Sequence, residues 1–237
     1  KRALLSGGQS KSPALQAALA GFAGLDWGRV KDKDLTEIKA MIDTGVATSG
    51  NRGEPAIGVR FRLDHDNGNI EERRLELHPL LVENIPKMAA DKKYRVILQA
   101  LLLKELGHWG YKYKDLLPLA LRIQQYETPH PDADDAELAR ELAELQLAFE
   151  APQYKIAYDY LVKNLGNGDA SSAKGVLEEM ITEEEKNKNE FLRDMFTGLK
   201  NIMENAGEKG ININMAAARD LGQGTGDIAK AILSLKN

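Results

Sequence analysis

The chain has 237 residues, no cysteine, a formal charge of −4 and an apolar fraction of 43%. That length is enough to bury a real core in one large domain or two small ones. The missing cysteine excludes disulfides, cysteine-ligated zinc and thiol catalysis. The acidic balance argues against a dedicated nucleic-acid binder, and no apolar run approaches the ~18 residues of a membrane span.

Residues 1–10 are rich in Gly and Ser and read as a frayed start. A short helix is expected from Pro13 to Leu25 and another from Asp34 to Met41, with Gly45 after it. The stretch Thr48–Pro55 reads as a loop. Next, Ile57, Val59, Phe61 and Leu63 alternate with Gly58, Arg60 and Arg62, and Asn67-Gly68 supplies a hairpin turn. The return strand runs from Ile70 to His78, with Leu75 and Leu77 on its apolar side. Arg60, Arg62, Arg73 and Arg74 read as one face of this hairpin, and no other strand is expected.

Helical periodicity then covers 91–109 and roughly Tyr113–Tyr126. Thr128–Asp132, with two prolines, is a loop. Asp134 or Asp135 caps a long helix reaching Glu150, with Pro152 as an interruption and 153–165 continuing as helix. From Ser171 onward several short, Gly-punctuated helices are expected.

Three short strings imitate known motifs. Leu5-Ser6-Gly7-Gly8-Gln9 spells an ATPase signature, but no phosphate-binding loop accompanies it. Gly222-Gln223-Gly224-Thr225-Gly226 has its third glycine in the wrong place for a dinucleotide loop, and no strand precedes it. Asp64-His65-Asp66-Asn67-Gly68 has Asn69 and Leu75 where a calcium loop needs Gly and Glu, so it is a hairpin turn.

The 91–109 helix carries the chemistry. At ~100° per residue, Lys92, Arg95 and Gln99 fall within about 60° of one another and mark a water-facing stripe. Tyr94, Ile97, Leu98 and Leu101 mark the opposite, core stripe, and Lys104, Glu105 and His108 continue on its side. Three ionisable residues on a buried face need compensation by pairing or by a metal. The alternative is that the helix surfaces in its last turn, near Gly107 and Gly110.

The string Lys104-Glu105-Leu106-Gly107-His108-Trp109 resembles the zincin metallopeptidase pattern H-E-L-G-H-W, with lysine at the first ligand position. The resemblance covers about residues 55–150 and is gluzincin-like. It implies Glu105 as the general base that activates metal-bound water and His108 as a zinc ligand. A glutamate of the following long helix would be the third ligand: of Glu137, Glu141 and Glu144, Glu141 or Glu144 is favoured. Lys104 breaks the pattern, because an ammonium cannot ligate zinc while protonated. Three states stay open: a catalytically dead relative, a different ligand set with His78 or His130 joining His108, or a lysine substituted for a native histidine. His65, like His78 and His130, reads first as a structural histidine.

The expected architecture is α+β, predominantly α, with one β-hairpin beside the zincin-like helix. It divides into an N-terminal helical segment (1–54), a zincin-like core (55–165) and a C-terminal helical subdomain (166–237). The expected function is a zincin-like, metallopeptidase-related domain, inactive because of Lys104, with no cofactor as written and zinc only if the site works. Its ammonium is expected to sit near the metal's place and pair with Glu141, Glu144 or Glu105. The other reading is a non-enzymatic helical structural or interaction module, in the context of a large phage or mobile-element protein. The expected partner is a peptide or protein of unknown identity, with neither nucleic acid nor membrane. The chain does not begin with methionine and reads as an excerpt, and no signal peptide is visible, so a cytoplasmic location is expected.

Overall fold

The structure is a computed structural model that describes residues 21–22, 25, 33–34, 36–38, 46–48, 56–127, 135–207 and 210–211. Within 135–147, only some side chains are among them. The chain is predominantly helical around one antiparallel hairpin, β2 (Ile57–Asp64) and β3 (Asn69–Leu77). Alternation of apolar and polar residues sets the pairing, with Ile57 opposite Leu77, Val59 opposite Leu75 and Phe61 opposite Arg73. At the tip, the Asp64 carboxylate accepts from the Asn67 N–H at 3.1 Å, and Gly68 adopts a φ of 63° that the turn requires. A third strand, β1 (Val46–Thr48), pairs in parallel with β3 and gives the order β1-β3-β2. The sequence reading did not anticipate it: three residues are too few to show a period. The register also corrects the arginine face. Arg60, Arg62 and Arg74 share one side, and Arg73 lies on the other.

Helix α1 (Pro79–Ala90) follows, in a stretch to which the sequence reading gave no element; its two prolines, Pro79 and Pro86, do not act as breakers. Pro79 instead occupies the first turn, where a missing N–H costs nothing, and His78 caps the helix by accepting from Leu80 N–H. Asp91 ends α1 and caps α2 (Lys92–Trp109), accepting from the Lys93 and Tyr94 N–H groups. Helices α3 (Tyr113–Glu127) and α4 (Asp135–Asn164) come next, then α5 (Ala170–Lys186) and α6 (Glu190–Asn205). Two short strands, Ala206–Gly207 and Gly210–Ile211, pair beyond α6. Contrary to expectation, α4 does not stop at Pro152 but runs on as one helix of 30 residues. Proline at that point deletes one N–H and crowds the preceding turn, a cost the packing on both sides of it absorbs. The expected helices over 13–25 and 34–41, the 128–132 loop and the chain beyond 211 fall wholly or largely outside the described residues.

Helix α2 is the central element. From Tyr94 onward almost every side chain is buried, so Gln99, expected on a wet stripe, is 3% exposed. Its amide oxygen accepts from the Tyr160 hydroxyl at 3.0 Å. One hydrophobic cluster joins Phe22 and Ile38, the hairpin's Leu75 and Leu77, helix α2, and Leu177, Phe196 and Leu199 of the last two helices. The core therefore crosses both boundaries expected from sequence. On its far side the fully buried Glu184 carboxylate receives the Lys87 ammonium at 2.7 and 2.9 Å and the Tyr94 hydroxyl, a compensated internal charge. Among the described residues, no helix is long and apolar enough to cross a membrane.

Candidate functional site

The last two turns of α2 run beneath β2 on one side and against α4 on the other. Because Lys104, Glu105 and His108 continue the buried stripe, they are only 9%, 1% and 4% exposed. The helix does not surface here. Glu105 is engaged through both oxygens: Oε1 receives the Lys104 Nζ at 3.0 Å, and Oε2 accepts the backbone N–H of Val59 at 3.1 Å. That second bond ties the helix to the outer edge of β2.

Helix α4 supplies the facing groups. Lys104 Nζ lies 3.2 Å from Glu150 Oε2 and 4.7 Å from the centroid of the Tyr154 ring. His108 Nε2 lies 3.3 Å from the same Glu150 oxygen. Both contacts to Glu150 are close ion-pair distances without hydrogen-bond alignment, so His108 Nε2 and Glu150 Oε2 are left without a hydrogen-bond partner. The Glu150 side chain is 32% exposed although this oxygen is buried, so the carboxylate turns one oxygen inward and keeps the remainder near water. The His108 ring meets Phe149 edge-on at 4.9 Å and Tyr111 at 6.0 Å, and those two rings stack at 4.4 Å. Tyr111 donates to the Phe149 carbonyl at 2.9 Å and accepts from Gln153 Nε2 at 2.8 Å. Gly107 makes the close approach of α2 to α4 feasible: a Cβ there would fall 1.6 Å from Gln153 Oε1.

Electrostatics follow from these distances. Burial acts to lower the Lys104 pKa, but Glu105 and Glu150 outweigh it and hold the ammonium well above the usual lysine range. Burial acts to raise Glu150, but Lys104 and then His108 draw its carboxyl down to about 2. Burial pushes the Tyr154 phenol up, so it stays neutral beside the ammonium. A depressed carboxyl stabilises the fold above its unfolded pKa, and that contribution fades as pH falls from about 4.5 through about 2. A raised ammonium does the opposite: its contribution is complete below 10.5 and is lost only as pH climbs through the raised value. In acid titrations followed by circular dichroism, wild type should therefore lose stability between about pH 5 and 2. Glu150→Gln should lack that component. Equal acid slopes in the two proteins would show that Glu150 is unpaired in solution.

The residues named from sequence are only partly brought together. Lys104, Glu105 and His108 converge. Glu141 does not join them: its carboxylate pairs with Arg122 at 2.7 Å, about 13 Å along α4 from Glu150. The side chains of Glu137 and Glu144 and all of His130 lie outside the described residues. His78 caps α1 and stacks on Phe191 at 5.1 Å, and His65 meets the Tyr113 hydroxyl at 3.1 Å. Neither reaches His108. Glu150, Gln153 and Tyr154 were missed because the sequence reading broke the helix just after Glu150.

The donor set does not fit zinc. Glu105, His108 and Glu150 are the oxygen and nitrogen donors present, and the Lys104 ammonium stands between the two carboxylates. No three His, Asp or Glu side chains converge as a metal-binding group among the described residues. No protein-family model matches the chain, and neither does any curated protein or solved structure.

Proposed function

We propose that the chain is a zincin-like, metallopeptidase-related domain without peptidase activity, in which Lys104 supplies the positive charge that a metal supplies in a working site. One observation carries this reading: a single buried ammonium bridges Glu105 and Glu150 at 3.0 and 3.2 Å, with His108 on the same Glu150 oxygen. Glu105 and His108 of one helix, Glu150 of a later helix and the edge of a hairpin are linked through the Lys104 ammonium and the Val59 N–H. With Lys104 in place, Glu105 is both ion-paired and bonded to Val59, so it is not free to accept a proton from water.

The test is metal content. Dialysed against zinc, wild type should retain far less than one ion per chain and cleave no unstructured peptide. Lys104→His, which removes the competing charge and adds an imidazole, should retain zinc. One tightly held zinc per wild-type chain would sink the proposal. A second reading, a helical structural or interaction module, is favoured by the full engagement of both Glu105 oxygens inside the fold. Under it, Lys104→His gains no metal and merely loses stability.

A further inference from the structure

The hairpin treats its arginines unequally. Arg60, Arg62 and Arg74 each meet a glutamate on the solvated face, at 3.1, 2.9 and 2.8 Å. Arg73 lies on the opposite face, across from Phe61 and on the same side as Val59 and Leu75. Its Nη2 donates to the Tyr111 carbonyl at 2.9 Å, while its Nε is buried without a partner. Among the described residues no carboxylate pairs with it. A guanidinium drawn onto an apolar face with one carbonyl for company is undercompensated.

An open cleft of ≈ 580 Å³ adjoins it, between the hairpin tip and the junction of α2 with α3. That volume falls in the range of small-molecule sites. Ile70, Trp109 and Tyr113 give the cleft apolar and aromatic walls, and Lys112 adds a second cation. Lys112 also has no carboxylate partner among the described residues, since Asp115 accepts from its backbone N–H at 2.9 Å instead. Two unpaired cations thus border one aromatic cleft in a chain whose net charge is −4.

We propose that this cleft binds a small organic anion, with Arg73 and Lys112 holding a carboxylate or phosphate while Trp109, Tyr113 and Ile70 cover an apolar body. Arginine offers a fork of donors that matches either group, and the aromatic walls favour a flat attachment. The cleft shares no lining residue with the Lys104 cluster.

Nitrogen-15 NMR of the full chain reads this directly through the Trp109 indole and Arg73 Nε signals, with Trp27→Phe assigning the two indoles. Benzoate and phenyl phosphate are the probes, and the tighter one identifies the anionic group. Both should give saturable shifts at these two signals, and inorganic phosphate, lacking the body, should bind at least ~10-fold more weakly. Lys112→Glu should weaken both aromatic probes by ~10-fold with an unchanged melting midpoint, because the Lys112 side chain is exposed. Arg73→Gln should do the same, the amide retaining a donor for Tyr111. Absence of saturable shifts at about 10 mM probe overturns the proposal. So does wild-type affinity in Lys112→Glu, or equal binding of neutral benzyl alcohol.

Discussion

Lys104→Met should lower the unfolding free energy by ~3–5 kcal/mol, a drop in melting midpoint on the order of 10 °C for a chain of this size. Methionine fills much of the same volume, so packing changes little. What is lost is the buried ammonium that faces Glu105 and Glu150, at 3.0 and 3.2 Å. Glu105 is 1% exposed and has nowhere to turn for water, so its charge is stranded or must be neutralised by protonation. The double variant Lys104→Met/Glu150→Gln removes one of the two stranded charges and should recover part of the loss. A Lys104→Met melt that coincides with wild type would mean the lysine is solvated, and the buried-cation account would be wrong.

Gly166→Ala is expected to cost about 3 kcal/mol. Gly166 follows α4, and its N–H reaches back to the Leu161 carbonyl at 3.2 Å. A Cβ there would stand 2.1 Å from the Asp169 carbonyl oxygen and 2.8 Å from the backbone nitrogen of Ala173. Those are backbone atoms of the turn and first helical residues that start α5, so no rotamer change relieves the overlap. Relief requires moving α5, whose cap is the Asp169 carboxylate on the Ser172 N–H at 2.6 Å. Gly175→Ala is the matched control, since a Cβ there meets nothing within 4 Å inside α5. It should stabilise by up to ~1 kcal/mol through helix propensity. Chemical denaturation of the two variants would separate these effects, and equal midpoints would refute the steric account.

The hairpin was legible in the sequence because the alternation along β2, the Leu75 and Leu77 pair of β3 and an Asn-Gly turn are local signals. Helix α2 was legible for the same reason, including the inward course of Lys104, Glu105 and His108. What failed was non-local. Gln99 looked wet because its neighbours Lys92 and Arg95 are charged, yet Tyr160 of α4 closes over it. Pro152 argued for a break that the helix runs through, the stretch of α1 carried no element in the sequence reading, and the facing carboxylate is Glu150 rather than a mid-helix candidate. Arg73 seemed one of four alike until the pairing with Phe61 set it on the other face.

The sheet order leaves β2 at an open edge, the position from which strands recruit strands of other molecules. Here the Val59 N–H that faces outward is already taken by the Glu105 carboxylate, and Arg60 and Arg62 add charge further along the strand. The same glutamate that answers the buried lysine therefore also guards the fold against templated self-association. Selection against stray strand pairing would keep that carboxylate in place whatever chemistry the site performs.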